Sequence, residues 1–545
     1  MNSKRKLYII LLFSLLSGVA WSQKIAGILQ NKSGVAAGFI LFSPLNSKQT
    51  YLIDECGRVV NEWTSNFFPG NTSYLLPNGN LVRTKRLENN IISGGGGGGG
   101  VEIFGWGSNL IWSFELNTSV NRLHHDIAPL PNGNILMNVW SIKTEAEALE
   151  AGRNSALIGA ERVVWSERII EVRPIPPSDF EIVWQWSLWD HLVQDFDDAK
   201  QNYGVVHDHP ELVDVNFVPQ GVISNWIHMN AIDFNAKLNQ IVVSSPFLNE
   251  IWVIDHSTTT AEAALHSGGS SGKGGDLLYR WGNPQSYGAG MPSDRRLFGQ
   301  HDVKWIAEGY PYAQSFILFN NNKGTDYSSI EIITPPLSGL NYSRPEQAYG
   351  PANPTYTFES TPKSSLHSRI MGGVEMLANG NLLICSSLQG VLVEVGAAGD
   401  TVWRYKSPVT ANGIVGRDYF PTEPNFASDN NFRAKKYPPS FSGFNGKDLT
   451  PQEPVEGEPW ACETITSLTA VEEIYLNIYP NPANDFITVQ ATSNEMLLHV
   501  VITDVLGRVM GKSLGVGEIT MNLSGFQPGI YFLSDDLKRY KIVKQ

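Results

Sequence analysis

"PLPNGNILMN", residues 129–138, has two near-copies in the chain, "LLPNGNLVRT" (75–84) and "MLANGNLLIC" (376–385). In each, Asn-Gly supplies the positive-φ positions of a tight turn, and the apolar residues after it read as a strand. A second phrase alternates with the first: an apolar strand, a turn, then a strand ending in aromatics. It reads "YLIDECGRVVNEW" (51–63), "VEIFGWGSNLIWSF" (101–114) and "IIEVRPIPPSDFEIVWQW" (169–186). It recurs as "IWVIDH…LLYRW" (251–281), "IEIITPP…PTYTF" (330–358) and "VLVEVGAAGDTVWRY" (391–405). Degenerate copies of the first phrase stand at 37–44, 231–245 and 305–322. One supersecondary unit repeated in this way cannot bury its apolar faces alone and must stack on its neighbours. Six units of about four strands predict an all-β fold, a six-bladed β-propeller over residues 30–410, with seven blades as the nearest competitor. The aromatic endings (Trp63, Trp112, Trp184, Trp186, Trp281, Trp403) are expected to pack between blades.

The bulk composition agrees. Charged residues are 17% of 545, while Gly (51), Pro (31) and Trp (15) are abundant, a mix suited to many turns and strands. The net charge of −13 argues against a nucleic-acid partner, whose phosphates need a basic surface. Lys4, Arg5 and Lys6 precede a short apolar run and small residues at Ala20 and Ser22, the pattern of a secretory signal peptide over 1–22. No other segment is long and apolar enough to be expected to span a membrane. Cys56, Cys385 and Cys462 lack metal-ligand spacing and leave room for a single bridge at most.

Units three to five carry long inserts (141–165, 190–225, 257–277), the kind that form lids over sites. The run Gly94–Gly100 reads as a flexible connector. "GGSSGKGG" (268–275) lacks the glycine spacing and the Ser/Thr after Lys273 of a phosphate loop, so neither is expected to hold a nucleotide. Residues 411–470 are rich in Pro, Asn and Glu and read as an elaboration and linker; 471–545 reads as a small β-sandwich of short alternating strands.

Aligning the units on their turns brings three histidines into register. His125, His228 and His301 each stand seven residues before Asn132, Asn235 and Glu308, and the same position holds Asn71 in unit two and Gly372 in unit six. Equivalent residues at the start of innermost blade strands surround the propeller axis at one mouth, so these imidazoles are expected to converge. His124 is one residue out of phase, and strand alternation is expected to turn it away. Three readings fit such a set: imidazoles that cap or bridge blades, a three-His metal site for Zn or Cu, or a site for a small oxyanion with one His as nucleophile.

The phrases "HHDIAPLPNGNIL", "WIHMNAIDFNAKLNQIVVSS" and "GQHDVKWI", supported by "RWGNP" (280–284) and "HSRIMGGVEML" (367–377), resemble the PAPS-independent bacterial arylsulfotransferases over most of 35–410. The resemblance implies ping-pong transfer of a sulfuryl group from an aryl sulfate to a phenol, without cofactor. His301 would be the nucleophile that becomes a sulfohistidine; His228, also a candidate proton carrier, His125 and Asn230 would donate to the sulfuryl oxygens. The family's basic residue after the Ser-Ser pair is Pro246 here, and Arg369 is the candidate substitute. The segment 471–545 resembles the type A C-terminal sorting domains of the type IX secretion system. It does so through Tyr479–Pro482, Asp504–Gly507, Leu523–Gly525, Gly529-Ile530-Tyr531 and a basic tail. That implies the type IX machinery as partner and export through the periplasm and outer membrane. Non-catalytic alternatives are a secreted binding or scaffold propeller.

Overall fold

The computed structural model describes residues 26–344, 347–416, 430–457, 476–490, 497–505, 508–534 and 539–545. The expected signal peptide, Cys462, Gly507 and much of 411–470 lie outside them. The chain divides into two compact units, 1–464 and 465–545.

The first unit is all-β and its sheets follow the repeat. Four-stranded antiparallel sheets are built from Pro69–Leu75 to Leu110–Glu115, Asn121–Pro129 to Asp179–Ser187, Ala231–Asn235 to Tyr279–Trp281, and His301–Trp305 to Tyr356–Phe358. We number these sheets two to five. Sheet six runs from Gly373–Met376 to Thr401–Lys406 and gains a fifth strand, Gly27–Asn31, on its outer edge. Sheet one has its three outer strands between Phe39–Pro44 and Val59–Thr64, but its innermost strand is Asn431–Tyr437, paired antiparallel with Phe39–Pro44. The repeat unit therefore does not stop at 410, as expected from the sequence. Unit one lacks an inner strand of its own, and a segment from the expected linker fills the gap. The six innermost strands touch in cyclic order, each against the next and the sixth against the first.

The terminal tryptophans lock sheet to sheet. Each is buried, and each indole N–H donates to a turn of the following sheet: Trp63 to Gly105 O (2.9 Å), Trp112 to Asp179 O (2.8 Å), Trp186 to Gly275 O (2.7 Å), Trp281 to Pro351 O (2.7 Å) and Trp403 to Glu55 O (2.8 Å). A buried indole thus satisfies its one donor while filling the space between sheets. Cys56 is disulfide-bonded, and Cys385 is a buried free thiol.

The second unit has a three-stranded sheet (Asn477–Tyr479, Phe486–Gln490, Glu518–Asn522) and a four-stranded one (Leu497–Thr503, Val509–Val516, Gly529–Ser534, Arg539–Lys544) around one core that includes Ile487, Val489, Val500 and Leu533. Asn481 of the Tyr-Pro-Asn-Pro opening clasps the last strand, donating to Lys541 O (2.8 Å) and accepting from Val543 N–H (2.9 Å).

Candidate functional site

All six innermost strands reach one cavity of about 650 Å³, each contributing a residue within the strand or just before it; His125 lies mid-strand in Asn121–Pro129. These are Asn71, His125, His228, His301, Met371 and Phe432, from sheets two to six and then one. The repeat register was legible in the sequence for Asn71 and the three histidines. In sheet six Met371 lines the cavity, not Gly372, and Phe432 arrives on the strand that the repeat did not reveal. His125, His228 and Met371 all adopt positive φ (50°, 59°, 59°), as does Asp302 next to His301 (61°). Non-glycine residues rarely hold this conformation, and here they cluster at one mouth.

His301 is oriented by Asn321. The Asn321 amide donates from Nδ2 to Ser368 O (2.7 Å) and Met371 O (2.6 Å), so its Oδ1 must face the imidazole. That oxygen lies 2.9 Å from His301 Nδ1, with Gly299 O at 3.0 Å, which places the proton on Nδ1. The lone pair is left on Nε2, toward which, among the described residues, only the Met371 amide N–H points, at 3.2 Å. Burial lowers the imidazole to a pKa of about 4, so it is neutral at pH 7. His228 stacks on Phe247 (4.4 Å, 9°) and meets His125 edge-on (4.6 Å). Burial lowers it to about 3, helped by His124 and His301. His125 is held well below its ordinary value by burial first and then by the neighbouring imidazoles.

The walls are mixed. Phe247, Phe298, Phe432 and Ile370 offer apolar faces, while Asn249, Asn322 and Gln220, from the 190–225 insert, are polar. Pro246 does line the cavity, and no cation comes from that position. Two arginines do line it: Arg369, and Arg295, which the sequence reading did not single out. The Arg295 guanidinium lies over the Phe298 ring (4.7 Å), and its Nε is buried with no hydrogen-bond partner among the described residues. Its signal was weak, since nothing in the repeat distinguishes it from the adjacent Arg296.

Asn230 does not belong to the lining. It is fully buried past the His228 bend, where its Nδ2 donates to Gln300 O (2.8 Å) and ties two inner strands together. The glycine run, expected to be only a connector, forms part of the wall through Gly95 and Gly96. The His125 and Asn71 side of the cavity is closed by it: His125 N–H and Asn71 Nδ2 both donate to Gly96 O (2.8 and 3.0 Å). A Cβ on Gly96 would fall 1.9 Å from His125 Nε2, which is why glycine is needed there.

Behind the wall lies a charged layer. Arg433, next to Phe432, is paired with Asp126 and has its Nε 2.9 Å from Asp302 Oδ1, an ion pair misaligned for a hydrogen bond. Burial opposes its charge, but the two carboxylates outweigh burial and keep it protonated. The carboxylates in turn accept backbone N–H groups of neighbouring sheets, Asp126 from Ile232 (3.1 Å) and Asp302 from Val374 (2.8 Å). "RWGNP" is structural: Arg280 forks onto Glu250 (2.9 and 2.6 Å), fully buried.

A metal-like trio, His191, His266 and Asp276, has its ligand atoms within 4.8 Å of one another, and none of the three lines the cavity. Both ring nitrogens of His191 are engaged, with Asp276 Oδ1 (2.8 Å) and Ala263 O (2.9 Å), so it serves as a strut for the 257–277 insert.

Comparison with known proteins bears on what this cavity is. The family model described as Arylsulfotransferase (ASST) matches residues 25–406. The chain belongs to the arylsulfotransferase family. A second model, the secretion system C-terminal sorting domain, matches 477–545 and points this arylsulfotransferase-family chain to export and a secreted or surface location. No helix among the described residues is long and apolar enough to cross a membrane. No curated protein matches the chain. Among solved structures, a streptogramin B lyase is 10% identical and covers 76% of this chain and 94% of its own (TM-score 0.33). The Pseudomonas aeruginosa periplasmic gluconolactonase is 11% identical, over 68% and 83% (TM-score 0.33). A Bacteroides caccae protein of unknown function is 10% identical, over 68% and 93% (TM-score 0.37). Likeness at this level says nothing of activity.

Proposed function

We propose that the protein is an exported aryl-sulfate sulfotransferase on a six-bladed β-propeller, followed by a C-terminal β-sandwich that addresses it to the type IX machinery. A signal peptide over 1–22 starts the route through the periplasm and outer membrane. In the first half-reaction His301 Nε2 attacks the sulfur of the aryl sulfate. The sulfur–oxygen bond to the ring breaks, its electron pair stays on the departing oxygen, and the phenol takes its proton from the site's proton carrier, for which the resemblance points to His228. In the second, an acceptor phenol returns a proton to that carrier and attacks the sulfohistidine, the sulfur–nitrogen bond breaks with its electron pair going back to Nε2, and His301 returns to its starting state.

The observation that supports this is the state of His301: a lining residue, neutral, with its proton held on Nδ1 by Asn321, so that Nε2 carries the lone pair and accepts only the long Met371 N–H contact (3.2 Å) among the described residues. A neutral imidazole suffices because a phenolate is a good leaving group. His125, His228 and the guanidinium groups of Arg295 and Arg369 supply donors and positive charge to the sulfuryl oxygens. Fixed donors of this kind lower a barrier by about 3–4 kcal/mol each when well placed. The aromatic walls suit the ring of the substrate.

The test is nitrophenol release from 4-nitrophenyl sulfate with phenol as acceptor. The expected result is turnover by the wild type, none by His301→Ala, and an 80-Da adduct on His301 in the intact protein before phenol is added (the mass of SO₃, about 80 Da). Equal release by both proteins would leave a binding or scaffold propeller as the better account, and stoichiometric Zn or Cu lost on mutating the three pocket histidines would favour a metalloprotein.

A further inference from the structure

His124, the histidine that the repeat phase turned away from the site, is bonded directly to one inside it. Its Nδ1 lies 2.9 Å from His125 Nδ1, and its Nε2 lies 2.8 Å from Glu167 Oε2. The other oxygen of Glu167 accepts the Met229 N–H (2.8 Å). His124 is sandwiched flat on Trp140 (4.1 Å, 2°), and His124 and Glu167 are fully buried. The line ends at His125 Nε2, the tip of a ring that lines the cavity beside Gly96, with no hydrogen-bond partner among the described residues.

We propose that Glu167, His124 and His125 form a proton relay that takes the proton of the acceptor phenol and returns it to the departing one. The proposal rests on the sulfotransfer reading and moves the proton-carrying role from His228 to His125. Hydrogen-bond donors and acceptors along the line permit only two neutral-imidazole arrangements. In the first, Glu167 is a carboxylate, His124 donates to it from Nε2, and His125 donates to His124 from Nδ1. His125 Nε2 then carries a lone pair, a base facing the cavity. In the second, Glu167 holds a proton and donates it to His124 Nε2, and His124 donates from Nδ1 to His125 Nδ1. His125 Nε2 then carries a hydrogen, an acid facing the cavity.

The two arrangements differ by one proton. A phenol that protonates His125 Nε2 drives Nδ1–H over to His124 and Nε2–H over to Glu167, so the proton taken up at the cavity ends on the carboxylate. No imidazolium persists. The relay carries one negative charge when empty and none when loaded, and burial favours the uncharged state. The shifts agree in direction: burial pushes the Glu167 carboxyl well above its ordinary value and His124 and His125 well below theirs. The charged or titratable groups facing the relay are Arg122 beside His124, and His228, His301 and Arg433 beside His125. Glu167 and His124 do not touch substrate and act only through His125.

Glu167→Gln separates this from a structural role. Glutamine can accept from Met229 and donate to His124, which keeps the shape and locks His125 as a donor. The expected result is that sulfo-enzyme formation from 4-nitrophenyl sulfate changes less than about threefold, because nitrophenolate leaves without a proton. Discharge to phenol falls about 10²-fold, in the range of a lost general base. The loss should shrink for 4-cyanophenol, which gives up its proton more easily. An equal fall for both half-reactions and both phenols would overturn the proposal. A second measurement needs no turnover: ¹⁵N-histidine spectra of the full-length protein across pH 5–9. His125 Nε2 should gain and lose its hydrogen in the wild type and keep it throughout in Glu167→Gln; identical titration in both proteins would overturn the relay. Failure of the wild type to release nitrophenol would instead sink the sulfotransfer reading, while the spectra still decide the relay.

Discussion

Asn321 Oδ1 lies 2.9 Å from His301 Nδ1, and that contact determines which imidazole nitrogen is free for chemistry. Asn321→Ala should leave the sheet intact but let the ring turn. The expected loss in kcat is on the order of 10²-fold, as for other small misplacements of a reacting atom. Single-turnover formation of the sulfo-adduct measures it, with Tm as the control on folding.

Gly96→Ala should be worse than its size suggests. Its Cβ would meet His125 Nε2 at 1.9 Å, at a φ of 77° that disfavours any side chain. Displacement of the imidazole predicts loss of most activity, whereas Gly107→Ala, with open space at its Cβ, should behave as wild type in the same nitrophenol assay.

On the sulfotransfer reading, the two cavity arginines would divide the work of one cation at position 246. Arg295→Ala, losing a partly buried guanidinium over Phe298, is expected to raise KM for the aryl sulfate about tenfold or more, the scale of one charge-assisted hydrogen bond. Arg369→Ala, at an exposed position, should have a smaller effect. Conversely, Pro246→Arg should lower KM in the Arg295→Ala background. Steady-state kinetics at fixed ionic strength read all three.

Arg433→Met removes the guanidinium from two buried carboxylates. Asp126 would lose its cation and Asp302 would keep only Lys304, whose Nζ lies 3.0 Å from Oδ2. Stranding the Asp126 charge should cost about 3–5 kcal/mol and appear as a lower denaturant midpoint. Partial recovery by adding Asp126→Asn would trace the cost to the stranded charge.

Rate and stability should part company in acid. His228 and His301 titrate near 3 and 4 when folded but at their ordinary values when unfolded. The unfolded chain therefore binds protons that the folded chain refuses, and stability declines as pH falls from about 6.5 toward 4. Each such histidine contributes about 1.4 kcal/mol per pH unit in that window. Formation of the sulfo-adduct should stay flat over the same range while the protein remains folded, because His301 keeps its lone pair. Thermal melts and single-turnover rates from pH 7 to 5 check both halves.

Much of the architecture was legible because its signal is periodic. The Asn-Gly turns and terminal tryptophans mark five of the six sheets, and the register of His125, His228 and His301 identifies the cavity they share. The rest was hidden for physical reasons. Asn431–Tyr437 has no unit of its own, so its role appears only when pairing across almost four hundred residues is known. Asn230 was singled out by family resemblance alone; it sits two positions past a bend at positive φ and is fully buried, a placement that no repeat phase encodes. His124 does point away from the cavity, yet its ring reaches back to His125 through a side-chain contact that periodicity does not encode. Arg295 comes from an irregular stretch, where no repeat gives phase.

The strand Asn431–Tyr437 has a consequence for when the protein becomes active. Synthesis presents a chain from its N-terminus, so Phe432 and Arg433 are the last pieces of the cavity and its charged backing to appear. Until they do, sheet one lacks its innermost strand, the cavity lacks a wall, and Asp126 lacks the cation it pairs with, while Asp302 has only Lys304. Completing the circle of strands and neutralising Asp126 behind the histidines are one event. A chain clipped before Asn431 is expected to lack this wall and to release no nitrophenol from 4-nitrophenyl sulfate.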